Sequence, residues 1–110
     1  MSNANLSRIA QLNDRFRQTF SGGKVMMTQG IASLSQGEKA EVLAGVQRFD
    51  TFCPGNDPHG EHDFGALNVA GRHIYFKIDC YDPTMTFGSE DPADPEVTIR
   101  VLTIMLAEEY

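Results

Sequence analysis

The sequence predicts an α+β fold, with a small, mainly antiparallel three-stranded sheet packed with three helices in a single domain. Three observations carry this expectation. Residues 5–20 place Leu6, Ile9, Leu12, Phe16 and Phe20 at three- and four-residue steps, which is helical spacing. Residues 64–69 and 73–81 read as two strands joined across Ala70-Gly71, and the second alternates cleanly between apolar and polar positions. The chain has 110 residues, which suits one domain and leaves no room for the repeated crossovers of a doubly wound parallel sheet.

The elements follow in order. The first helix carries Asn13, Asp14, Arg17 and Gln18 away from its apolar stripe, and Ser21-Gly22-Gly23 ends it. Lys24 to Thr28 read as a short strand closed by Gly30. Ser35-Gln36-Gly37-Glu38 is a capping-box pattern, in which the Ser35 hydroxyl accepts from the Glu38 amide. The helix it opens buries Leu43, Val46 and Phe49, and it ends near Phe52 because Pro54-Gly55 cannot continue it. Residues 53–63 form a loop. In the long second strand, Ile74, Phe76, Ile78 and Cys80 point one way, and His73, Tyr75, Lys77, Asp79 and Tyr81 point the other. Residues 82–93 form a second loop. Asp94-Pro95-Glu96 has the marks of a helix start, and the apolar run Val97–Leu106 predicts a buried third helix. The domain spans residues 1–110, with residues 1–4 expected to be disordered.

Composition narrows the function classes. Hydrophobic residues make up 41% and charged residues 22%, which is a globular balance. No apolar stretch approaches a membrane span and no export pattern opens the chain, so a cytoplasmic setting is expected and no membrane partner. The net charge of −6 opposes nonspecific nucleic-acid binding. Cys53 and Cys80 have no C-x-x-C spacing and read as reduced thiols. Glu90, Asp91, Asp94 and Glu96 read as a solvated loop and helix start.

The stretch from Asn56 to Gly65 concentrates the chemistry-bearing residues: Asp57, His59, Glu61, His62 and Asp63 lie among Pro58, Gly60 and Gly65. In extended chain, Asp57, His59, Glu61 and Asp63 would share one side and could converge on a divalent ion. Counted as a calcium loop from Asp57, however, the glycine position holds His62 and the twelfth holds Asn68. His59-x-x-His62 lacks the helix of a zinc-protease motif. No metal or other cofactor is therefore assigned. The simplest reading is a turn whose Asn and Asp side chains bond their own backbone.

Long motifs give the chain a family resemblance. They are Gly23-Lys24-Val25, Thr28-Gln29-Gly30-Ile31, Phe49-Asp50-x-Phe52, Asn56-Asp57-Pro58-x-Gly60-Glu61-His62-Asp63-Phe64-Gly65, Lys77-Ile78-Asp79-x-Tyr81-Asp82, Asp91-Pro92-Ala93-Asp94-Pro95 and Leu102–Tyr110. From Phe20 to Tyr110 the chain resembles a bacterial family of small proteins known as domain of unknown function 3768. The resemblance implies a bacterial, cytoplasmic protein and no mechanism.

Two functional readings remain open. The first is a noncatalytic interaction or regulatory module with a protein partner or a second copy of itself. Its binding surface would comprise Tyr75, Lys77, Asp79, Tyr81 and Asp82 with the loop residues Asn56, Asp57 and His59, since tyrosines on a polar face suit a protein interface. The second is a hydrolase-like enzyme, metal-assisted or not. His62 would act as base, Glu61, Asp63 and Asp57 as ligands or orienting groups, and Lys77 would stabilise developing negative charge beside Asp79. Both readings expect the 56–63 loop to fold back over the polar side of the second strand.

Overall fold

The computed structural model describes residues 6–110. The expectation for residues 1–4 lies outside the described residues. Seven elements form the fold: α1 (Arg8–Thr19), β1 (Gly23–Met27), α2 (Gln29–Ala32), α3 (Gln36–Arg48), β2 (Phe64–Val69), β3 (Arg72–Tyr81) and β4 (Ile99–Leu106). Single 3₁₀ turns at Pro95–Val97 and Ala107–Glu109 flank β4.

The sheet has four strands in the order β1-β4-β3-β2. β2 and β3 form the expected antiparallel hairpin, and β4 pairs antiparallel with β3. β1 pairs parallel with β4, so the sheet is mixed and four-stranded rather than three-stranded, with two of its three pairings antiparallel. The correction comes from the segment expected to be the last helix. The capping signal there is genuine, for Asp94 Oδ1 accepts from Glu96 N at 2.9 Å. It opens only one 3₁₀ turn, after which the chain extends. Val97, Thr98, Ile99, Val101, Thr103 and Ile104 are β-branched, a composition that favours strand. Apolar residues all round fit a central strand as well as a buried helix, and periodicity alone cannot separate the two.

All three helices pack on one side of the sheet. That side buries Ile74, Phe76 and Ile78 of β3 with Leu102 and Ile104 of β4, against Phe16 of α1, Ile31 of α2, and Val42 and Val46 of α3. Ser35 Oγ accepts from Glu38 N at 3.1 Å, as the capping box requires. α3 ends at Arg48, and Phe49 and Phe52 follow as non-helical chain whose rings reach Phe76 edge-on. α1 is rolled from its expected orientation: it buries Ala10, Asn13, Phe16 and Arg17, whereas Ile9 and Leu12 are half-buried. Two polar side chains thus occupy the helix-to-core interface, and they tie the fold to the loop.

Candidate functional site

The 53–63 loop is built from local polar bonds. Asn56 Oδ1 accepts from Cys53 N at 3.0 Å, and its Nδ2 donates to the Thr51 carbonyl at 3.2 Å. Asp57 is buried, and its Oδ1 accepts from Glu61 N (3.0 Å) and His62 N (3.1 Å). Such side-chain-to-backbone bonds satisfy amides that the bent chain cannot pair with itself. Gly60 has φ +66° and His62 φ +57°, so the loop turns twice through the left-handed region just before β2.

This turn delivers His62 to α1. Its Nδ1 lies 2.9 Å from the Asp14 carboxylate, its Nε2 lies 3.7 Å from Asp57 Oδ2, and its ring stacks on Phe52 at 3.9 Å. Asp14 in turn accepts from Arg17 at 2.9 Å. Arg17 is 1% exposed and donates to the carbonyls of Val46 (3.0 Å) and Phe49 (2.8 Å), where α3 ends. These are carbonyls that a helix end leaves without intrahelical partners. The guanidinium also lies 5.4 Å from the Phe52 ring centroid and 5.7 Å from that of Phe76. Beside this cluster, Asn13 Nδ2 donates to the Glu61 carbonyl (2.9 Å), and Asn13 Oδ1 accepts from buried Arg100 (2.7 Å). One polar network therefore fastens α1, the end of α3, the loop and β4.

Its chemistry is limited by its own bonds. Both ring nitrogens of His62 face carboxylates, and Asp57 is occupied by backbone amides. Among the described residues, no three His, Cys, Asp or Glu side chains come together as a cation site, so Asp57, His59, Glu61 and Asp63 do not converge as a ligand set. Cys53 and Cys80 are both free. Burial pushes the Cys80 thiol up, which keeps it protonated at neutral pH and poorly nucleophilic.

The other side of the sheet is the second candidate. Alternation places Tyr75, Lys77, Asp79 and Tyr81 there, beside Val101, Thr103 and Met105 of β4, Lys24 and Met26 of β1, and Phe64 of β2. None of α1, α2 and α3 packs on this side, where Val101 and Met105 are nonetheless buried among their neighbours. Phe64, Tyr75 and Tyr110 form an aromatic cluster with centroids 5.2–6.1 Å apart, and Tyr110 is 75% exposed. Lys77 Nζ donates to Asp79 Oδ2 at 2.8 Å, a bond that holds the ammonium pKa above its ordinary value. A groove of about 350 Å³ opens beside Tyr75, lined also by Ala66, Asn68, His73 and Ala107.

The two groups of candidate residues therefore stand on opposite sides of β3. His62 and Asp57 pack toward α1, whereas Lys77 and Asp79 project from the uncovered side, so they do not share a recess. Asp63 lies between them. Burial is the main influence pushing its carboxyl up; its own backbone amide opposes this, and the charge of Asp57 adds to it. His59 is exposed, and Asp82 is committed to its own loop, accepting from Thr84 Oγ1 (2.9 Å) and Thr86 N (3.0 Å). Sequence reasoning missed Asn13, Asp14 and Arg17, which it set away from the apolar stripe of the first helix, and Arg100, which it did not single out. It also missed Phe64, Met26 and Tyr110. Reading 99–106 as a strand would have supplied the signal, because Ile99, Val101, Thr103 and Met105 then fall on one face.

Searches of curated proteins and of solved structures return no match. The family model described as "Protein of unknown function (DUF3768)" matches residues 27–109, from the end of β1 through the last turn. With that match covering most of the chain, the protein belongs to the DUF3768 family.

Proposed function

We propose that this protein is a noncatalytic protein-interaction module whose binding surface is the uncovered side of its sheet. The observation that carries the reading is the one-sided packing of the helices: a four-stranded sheet offers its other side with an aromatic cluster at one margin and the Lys77–Asp79 pair near its centre. Aromatic rings with wet hydroxyls, ringed by polar groups, suit a protein partner. The shallow groove beside Tyr75 suits an anchoring side chain. Net charge disfavours nucleic acid in that role. Two free thiols fit a reducing setting such as a bacterial cytoplasm.

The alternative is a hydrolase-like activity centred on His62. The Asp14–His62 contact favours it, since a carboxylate on Nδ1 orients an imidazole. A general base also needs a free nitrogen within reach of substrate, and Nε2 here faces Asp57. A photo-crosslinking residue at position 75, with one at exposed Gln36 on α3 as control, distinguishes the readings. Crosslinks to a discrete protein from position 75 alone, abolished by Lys77→Glu, support the interface. Equal labelling from both positions, or loss of the biological effect on His62→Asn in a folded protein, rejects it.

A further inference from the structure

Building on the sheet-face reading, we propose that the partner presents a proline-rich segment in polyproline II conformation, with a basic residue beside the prolines, to a trough running from Tyr75 to Glu108. Two hollows make the trough. The groove of about 350 Å³ beside Tyr75 and a second of about 360 Å³ toward the hairpin turn share His73 and Ala107 in their walls, so they adjoin. The β3 residues that line them run from Arg72 to Tyr75, about 10 Å of strand. One turn of polyproline II takes three residues and about 9 Å, so two prolines three positions apart span the trough.

Three features select this ligand. The first is a saturated backbone. Ile74 and Tyr75 pair with β2 on one side and β4 on the other, so an added strand finds nothing to bond there. Recognition falls to side chains, which suits polyproline II, whose carbonyls take part in no internal hydrogen bonds. The second is the chemistry of the walls. Tyr75 walls the first hollow and Tyr110 meets it edge-on at 85°, with centroids 5.7 Å apart, while the small side chains of Ala66 and Ala107 leave room for a ring. Proline rings pack on such aromatic walls. Exposed Asn68 and His73, with the Tyr75 hydroxyl, bring donors, and proline supplies a carbonyl acceptor but no N–H. The third is charge. Glu108 is exposed at the far end, where Arg72, the other charge, faces Glu38 at 3.8 Å. A Lys or Arg flanking the prolines meets Glu108 there, and the net charge of −6 draws a basic segment in. The trough is also preformed. Glu109 accepts from Gly30 N and Leu106 N, each at 2.9 Å, which fixes the turn carrying Ala107 and Tyr110 before any partner arrives.

NMR titration of the full chain with an arginine-flanked decaproline peptide tests this. The expected result is saturable shifts of backbone amides confined to residues 66–75 and 106–110, with none from the same peptide carrying alanine for proline. Tyr75→Ala and Asn68→Ala each weaken binding by about tenfold. Glu108→Lys weakens binding of the arginine-flanked peptide and leaves unflanked decaproline unaffected. Thermal melts verify that each variant is folded. No saturable shift up to about 1 mM, an equal response to the alanine peptide, or binding indifferent to Asn68→Ala would overturn the proposal. Crosslinking from position 75 separates this failure from that of the sheet-face reading. Crosslinks that persist beside a silent titration remove the proline-rich occupant alone, whereas loss of both removes occupant and surface together.

Discussion

Replacing Arg17 with methionine removes the charge that joins α1 to the end of α3 while keeping a long side chain of similar reach. Arg17 is almost fully buried, and three of its hydrogen bonds are 3.0 Å or shorter: those to Val46 O, Phe49 O and Asp14 Oδ1. Bonds to a charged group contribute about 1.5–3 kcal/mol each, but they share one guanidinium and do not add. Deleting one partner of a buried ion pair costs about 3–5 kcal/mol, because the remaining charge stays desolvated. Asp14 keeps some exposure and its contact with His62, which favours the lower half of that range. The expected loss is therefore about 3 kcal/mol, a large share of the 5–15 kcal/mol typical of a domain. For a chain of this size that is a fall in Tm of about 12 °C. Urea unfolding followed by circular dichroism measures it. Arg17→Lys should fall between the two proteins, since a single ammonium cannot reach all three acceptors. A loss under about 1 kcal/mol for Arg17→Met would refute the view that this network holds the helices to the loop.

Two further outcomes follow from other contacts. Glu109 accepts from Thr28 Oγ1, Leu106 N (2.9 Å) and Gly30 N (2.9 Å), clamping the last turn to the start of α2; these bonds, led by that from Thr28, hold its carboxyl below the ordinary value of 4.5. The unfolded state then binds the proton more readily, so the clamp's stabilisation is complete above the unfolded pKa and fades as pH falls through the depressed folded one. Melts across acid pH should show Glu109→Gln losing stability at neutral pH and converging on the parent protein in acid. Gly65→Ala drives a methyl into the Phe76 ring and against Phe49, deep in the aromatic cluster beneath the hairpin. An overpacking loss of about 1–3 kcal/mol is expected in the same unfolding assay, and an unchanged midpoint would contradict the packing described.

The hairpin was legible because alternation and an Ala-Gly turn are local signals. Ile74, Phe76 and Ile78 are buried as the pattern required. β4 was not legible, because Val97–Leu106 shows no alternation: Leu102 and Ile104 enter the core, while Val101 and Met105 are buried on the other side of the sheet. α1 was found, but its roll was not. Arg17 and Asn13 look like surface residues until the end of α3, Glu61 and Arg100 arrive from 29 to 87 positions away to satisfy them. The Asn56–Gly65 stretch stood out for its chemistry, yet its partners Asp14 and Arg17 lie on a helix whose sequence gives no hint of a distant loop. Electrostatic and hydrogen-bond partners set by tertiary contact leave no spacing to read.

Hydroxyl-radical labelling of the protein inside its own cells, compared with the purified chain, bears most directly on the sheet-face reading. Met26, 52% exposed, lies on β1 and Tyr75 on β3, whereas Phe87, 71% exposed, belongs to the 82–93 loop outside the four strands. Strong protection of Met26 and Tyr75 is expected in the cell, with Phe87 labelled equally in both settings. Equal labelling of all three in cell and tube would contradict it.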